Sequence, residues 1–146
     1  MSRVSTYLNF MGTTEEAFDF YRSIFGTEVT SGPARMRDMP SEPGGPQISD
    51  AEKELIAYVE LPILGGHVLM GSDMLESMGH ELRIGNNVTI NLEPDTRAET
   101  DRLYAALSDG GSDSTGMQEM PWAYWGCTLD KYGVRWMFNC SESSQG

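Results

Sequence analysis

The sequence predicts an α+β fold made of two tandem βαβββ modules. Three observations carry that expectation: an internal repeat, alternating strands placed ahead of two amphipathic helices, and glycine turns at matching places. Thr13 and Glu16 open a helical pattern of the form Thr-x-x-Glu, and Thr96 and Glu99 open another 83 positions later. At the same offset Phe20 matches Leu103, Tyr21 matches Tyr104 and Ile24 matches Leu107. The strand before each helix recurs too, Leu8-Asn9-Phe10 against Ile90-Asn91-Leu92, displaced by 82 because the second loop is one residue longer. Toward the end of each half, Gly65-Gly66-His67-Val68-Leu69-Met70 parallels Tyr132-Gly133-Val134-Arg135-Trp136-Met137. Self-similarity at this spacing marks two copies of one supersecondary unit.

The elements follow in order. Residues 4–10 alternate, with Val4, Thr6, Leu8 and Phe10 on the helix-facing side and Ser5, Tyr7 and Asn9 on the other, as a half-buried strand requires. A helix from Thr14 to Phe25 comes next, with Ala17, Phe20, Tyr21, Ile24 and Phe25 at helical spacing behind a Thr13/Glu16 capping box and Gly26 as its stop. Strands are expected at 28–36, 54–61 and 66–72, the last two joined through Gly65-Gly66. In the second copy Val88, Ile90 and Leu92 face the helix and Asn87, Thr89 and Asn91 face away. Its helix runs from Arg97 to Ser108 and stops at Gly110-Gly111. Strands at 113–119, 122–130 and 134–140 complete the chain. Residues 31–53, rich in proline and polar groups, read as a long surface loop or lid rather than a packed element. The organisation expected is therefore one domain, 1–146, with module 1–73, linker 74–85 and module 86–140.

Composition sets the class. A chain of 146 residues with 39% apolar content can bury one ordinary core. Its formal charge of -12 and isoelectric point near 4.4 repel phosphate backbones and anionic lipid surfaces, so neither nucleic acid nor membrane is an expected partner. Without a signal-like or membrane-spanning apolar run, a cytoplasmic protein is expected. Cys127 and Cys140 flank a turn near Tyr132-Gly133. Hairpin pairing there sets Cys127 against Trp136 or Met137 and Cys140 against Ala123 or Tyr124, which keeps the thiols apart and unbridged.

The runs Tyr7-Leu8-Asn9-Phe10, Ala17-Phe18-Asp19-Phe20-Tyr21, Gly66-His67-Val68-Leu69-Met70-Gly71-Ser72-Asp73 and Tyr132-Gly133-Val134-Arg135-Trp136-Met137-Phe138-Asn139 carry a resemblance over nearly the whole chain. The sequence resembles PhnB-like members of the vicinal oxygen chelate superfamily, which holds glyoxalase I, fosfomycin and bleomycin resistance proteins and extradiol dioxygenases. The resemblance implies the glyoxalase/bleomycin resistance fold, half-barrel sheets around a cavity, and a homodimer. In the metalloenzymes of the group, His, Gln or Glu on the first and last strands of each module hold a divalent ion. Matched residue by residue, those positions fall on Ser5 or Thr6, Met70, Asn87 and Met137, none of them a good ligand for such an ion. His67 has the wrong strand parity to replace them, and His80 lies in the linker. No metal or other cofactor is therefore expected.

What that face offers instead is neutral hydrogen-bonding groups and soft apolar surface. Tyr7, Asn9, Asn87, Thr89 and Asn91 supply the first, and Met70, Met137 and Trp122 the second, a combination suited to a small organic molecule. Two alternatives stay open: a metal-dependent enzyme of lyase, transferase or dioxygenase type with an unrecognised site, and an interior packed shut by its own side chains. Arg35, Arg37 and Arg135 can clamp an anion if no carboxylate claims them, Arg135 having the parity of Met137. Methyl transfer is disfavoured, because no glycine-rich strand-to-helix turn of the nucleotide-cradling type is present.

Overall fold

The computed structural model describes residues 2–40, 43–45 and 47–143, so Pro46 of the proline-rich stretch lies outside the described residues. The chain divides into two compact units, Met1–Arg83 and Ile84–Gly146. Each is one βαβββ copy, and the two are described in turn.

The first unit contains β1 (Thr6–Phe10), α1 (Thr14–Phe25), β2 (Ser31–Arg35), the single helical turn α2 (Asp50–Lys53), β3 (Ile56–Pro62) and β4 (Val68–Asp73). Its mixed sheet has the order β1-β4-β3-β2, with β1 parallel to β4 and the remaining pairs antiparallel. One face takes α1. Phe10, Phe18, Tyr21, Ile24, Val59, Leu61 and Leu69 are buried there, with Phe18 edge-on to both Phe10 and Tyr21. Helical periodicity placed Phe20 in this stripe, yet Phe18 is buried while Phe20 lies at its margin. Gly71 explains the fit: a Cβ there would stand 2.6 Å from the Phe18 ring, so the ring sits where a side chain on β4 would otherwise be.

α1 begins and ends where the sequence places it, but its start is held differently. Thr13 makes no side-chain cap. The buried Asp73 at the end of β4 does that work instead, its Oδ1 accepting from Gly12 N at 2.8 Å, Thr14 N at 3.1 Å and Thr14 Oγ1 at 2.8 Å, while Oδ2 accepts from Ile56 N at 2.9 Å. One carboxylate thus ties a helix start and two strands together. Gly26 closes the helix in the left-handed conformation, its N–H donating to Arg22 O.

The described part of the stretch 31–53 is more ordered than its composition suggests. It contains β2, a 3-10 turn at Met36–Asp38 and α2. Edge position accommodates Pro33, since its missing N–H faces no partner strand. Gly32 sits at φ 79° with its would-be Cβ 2.6 Å from Tyr58 O, so only glycine fits this bulged strand.

In the second unit β5 (Ile90–Leu92) leads to α3 (Arg97–Ser108), β6 (Gln118–Glu119), β7 (Tyr124–Leu129) and β8 (Arg135–Cys140), ordered β5-β8-β7-β6. Leu92, Leu103, Leu107, Trp136, Phe138 and Cys140 are buried under α3. Thr96 caps this helix as its sequence predicts, accepting from Glu99 N at 3.1 Å. β5 is shorter than expected: Val88, like Val4 before β1, precedes the first paired residue and is exposed. The hairpin pairs Cys127 with Met137 and Tyr124 with Cys140, and both thiols are free. Among the described residues no helix is long and apolar enough to cross a membrane.

Candidate functional site

Each sheet turns one face to its helix and a second, polar face away from it. In the first unit strand pairing lines up Tyr7, Met70 and Glu60 across β1, β4 and β3, with Asn9 beside Ser72 one step further on. Tyr7 Oη donates to Ser72 Oγ at 2.9 Å, and Ser5 Oγ donates to the Met70 thioether at 3.2 Å. Tyr7 and Asn9 remain exposed. Beside them lies a charged group outside the expected binding set. Glu60 accepts from Arg3 Nη2 at 3.0 Å and from the Tyr58 hydroxyl in a short bond. The Tyr58 bond, then Arg3, hold the Glu60 carboxyl below its usual range, and the same bond to Glu60 pushes the Tyr58 phenol up. A two-residue turn at Gly65-Gly66 would set Glu60 opposite Gly71; the observed loop is Leu64-Gly65-Gly66, closed by Ile63 N donating to His67 O, and this brings Glu60 opposite Met70.

The second unit repeats the arrangement with different chemistry. Asn91, Met137 and Cys127 line up across β5, β8 and β7. Asn139 Nδ2 donates to Asn91 Oδ1 at 2.7 Å, and Asn91 Nδ2 donates to Glu93 at 3.2 Å. Arg135 starts β8 on this same face, its Nη1 3.7 Å from Asp113 Oδ2. Burial raises the Cys127 thiol against the opposing pull of Arg135, so the neutral form is favoured.

Not every expected residue joins these faces. Asn87 lies in an exposed bend and Thr89 just ahead of β5, while Trp122 is 65% exposed in the bend before β7. The repeat also has a different count in the sheet than along the helices. Tyr7 pairs with Met70 and Asn91 with Met137, so the first strands correspond at an offset of 84 rather than 82, and Thr89 rather than Asn87 stands where Ser5 does. A slip of two residues keeps every side chain on its face, which is why alternation alone could not detect it.

The sequence matches the model of the 3-demethylubiquinone-9 3-methyltransferase family over residues 2–138. The chain belongs to that family. It is a PhnB-like member of the vicinal oxygen chelate superfamily. It is 29% identical to a Pseudomonas aeruginosa protein, over 98% of this chain and 100% of that one, with a TM-score of 0.83. A Bacillus cereus PhnB protein is 24% identical over 96% and 100% of the two chains, with a TM-score of 0.74. The fold is also that of a glyoxylase/bleomycin resistance protein/dioxygenase domain from Frankia, 14% identical over 99% and 95% with a TM-score of 0.63. No curated protein matches the sequence.

In this PhnB-like chain the donor set does not fit a hard divalent ion. Ser5 spends its hydroxyl on Met70, and Asn91 spends its amide on Asn139 and Glu93. Thr6 lies on the opposite face, where its hydroxyl meets His67 Nε2 at 2.9 Å. His80 Nδ1 accepts from Leu75 N and braces a turn. Among the described residues no group of three His, Cys, Asp or Glu side chains is placed to hold a metal. Of the three arginines, Arg35 is bound to Glu15 and the Glu54 carbonyl and Arg37 to Glu54, which leaves Arg135 as the least engaged. A cavity of about 60 Å³ lined by Phe18, Val29, Pro33, Ile56 and Val59 lies on the helix side of the first sheet. It has room for about two waters and not for an organic ligand.

Proposed function

We propose that this PhnB-like protein binds a small organic molecule against the polar, methionine-bearing sheet faces. The observation that carries the reading is the repeated triplet of a hydrogen-bonding residue, a central methionine and a third polar or sulfur side chain: Tyr7, Met70, Glu60 in one unit and Asn91, Met137, Cys127 in the other. Amides and a phenol orient a bound molecule, while thioethers take up apolar area without demanding one shape. Tyr7, Asn9 and Met70 are the contacts proposed on the first unit's face, and Asn91 and Met137 those on the second unit's. Asn87, Thr89 and Trp122 stand outside the strands and would reach a ligand only from their loops. A homodimer, as the resemblance to PhnB-like proteins implies, is part of this proposal.

The family's description names methyl transfer, but the residues support binding more directly. A nucleotide-type cofactor is usually held by free amides at a helix start. Here Gly12 N and Thr14 N are given to Asp73, Glu99 N to Thr96, and Arg97 N to Glu142.

Native mass spectrometry of the purified protein, with Tyr7→Phe and Asn91→Leu beside the parent, tests the reading. A small molecule retained by the parent and lost from either variant is the expected outcome. Equal retention in all three would place the site elsewhere, and a stoichiometric divalent metal would favour the enzyme reading instead.

A further inference from the structure

Arg135 is set apart from the other arginines by what it lacks. Arg3, Arg35, Arg37, Arg97 and Arg102 donate hydrogen bonds to carboxylates. Arg22 and Arg83 have looser ion pairs, but their side chains are 43% and 84% exposed and water serves them. The Arg135 side chain is only 23% exposed, and its nearest carboxylate oxygen, on Asp113, is 3.7 Å from Nη1, too far for a hydrogen bond. Its Nε is shielded from water and has no hydrogen-bond partner among the described residues. A buried guanidinium N–H left unpaired is costly, and such groups in folded proteins call for a partner.

The geometry says which partner. A guanidinium presents Nε and Nη2 as two parallel donors along one edge, matched to the two oxygens of a carboxylate. Asp113 stands at Nη1, so the Nε edge is the unclaimed one. Met137 lies two residues along on the same face of β8, and Cys127 pairs with it from β7. A positive group next to a soft apolar surface suits an organic acid with an apolar body. We propose that Arg135 is the anion anchor of the second unit's face and that the molecule bound there carries a carboxylate. This rests on the ligand-binding reading above and adds the chemical class. Because Nε is shielded, uptake moves the guanidinium outward, and release from Asp113 should favour it.

Ligand-observed fluorine NMR with 4-fluorobenzoate and its neutral analogue 4-fluorobenzamide tests the assignment on the parent protein, Arg135→Gln, Arg135→Lys and Asp113→Asn. Asparagine tolerates the φ of 52° at position 113 as aspartate does, so that variant should fold and keeps the arginine. The expected result is benzoate binding at least tenfold tighter than benzamide, a loss of that preference in Arg135→Gln, part of it kept in Arg135→Lys, and severalfold tighter benzoate binding in Asp113→Asn. Equal binding of the two probes to the parent, or benzoate binding unchanged in Arg135→Gln, overturns the carboxylate assignment while leaving the ligand-binding reading intact. Binding of neither probe to the parent overturns both.

Discussion

The indole N–H of Trp136 donates to Asp130 Oδ2 at 2.9 Å in the buried core of the second unit. The other oxygen of that carboxylate accepts from Tyr132 N at 2.8 Å and Val134 N at 3.0 Å, so Asp130 closes the β7–β8 turn and fixes the strand that follows. Arg135 and Met137 flank Trp136 and point the opposite way, which makes this buried bond the support of the polar face. Asp130→Ala leaves three donors without this acceptor. It should cost about 3 kcal/mol, within the range for stranding several buried donors. Trp136→Phe keeps most of the ring but forfeits the bond, and should cost about 2 kcal/mol. Urea midpoints of the two variants check both values. A shift under a quarter of that expected for Asp130→Ala would mean that the turn holds itself.

The two helix starts share a sequence pattern and differ in mechanism, which gives a contrast testable with three substitutions. Thr96 bonds Glu99 N, so Thr96→Ala should cost about 1 kcal/mol. Thr13 makes no such bond, so Thr13→Ala should change stability by less than about 0.5 kcal/mol. The cost in the first unit is expected at Asp73, where Asn cannot accept from all four donors; Asp73→Asn should lose about 3 kcal/mol. Thermal melts of the three variants would sink this account if Thr13→Ala proved as damaging as Thr96→Ala.

That contrast also shows where the sequence could be read and where it could not. The bounds of both long helices were legible because periodicity, a polar residue before and glycine or a turn after are local signals. The βαβββ repeat and the hairpin register of Cys127 were legible for the same reason, since a tight turn fixes pairing by counting. Asp73 as the cap of α1 was not, because its partners lie about sixty residues away and nothing local to Thr13 shows that its own hydroxyl is idle. The two-residue slip between the first strands was hidden by preserved alternation. β2 falls inside the strand expected at 28–36, where its edge position lets Gly32 and Pro33 sit in a strand. On the polar face Tyr7, Met70, Asn91 and Met137 followed from parity, whereas Glu60 required the register and the unpaired Nε of Arg135 required coordinates.

Gly71 is a position where the smallest enlargement should be felt. Its Cβ would meet Phe18 Cε1 at 2.6 Å and Cζ at 2.9 Å, and the carbonyl of Leu8 at 3.2 Å. Phe18 cannot yield easily, because Phe10 and Tyr21 hold its ring edge-on from two sides. Gly71→Ala should therefore cost about 1–3 kcal/mol, as overpacking of a filled core does. Adding Phe18→Leu, which removes the clashing ring atoms, should recover part of that loss. Chemical denaturation of the single and double variants measures it, and additive losses would show that Phe18 is not the obstacle.

Glu52 gives the first unit an acid-sensitive tie. Its Oε1 accepts from Ser49 N at 3.0 Å and its Oε2 from Ser77 N at 3.2 Å, joining α2 to the turn that follows β4. Those bonds, that to Ser77 foremost, pull its carboxyl from 4.5 down to about 2. A carboxyl with a depressed folded-state value contributes stability above its unfolded value and loses it as pH falls through the folded one. The tie should hold at neutral pH, weaken below about 4.5 and be gone near 2. Glu52→Gln keeps the shape and removes the titration, so the two proteins should differ most at pH 6 and converge toward pH 2. Because the pair is near the surface, the difference should be small in global melts and clearer in amide exchange at Ser77. Exchange at Ser77 that stayed slow in parent and variant alike from pH 6 to pH 2 would show that the segment is held by something other than this carboxylate.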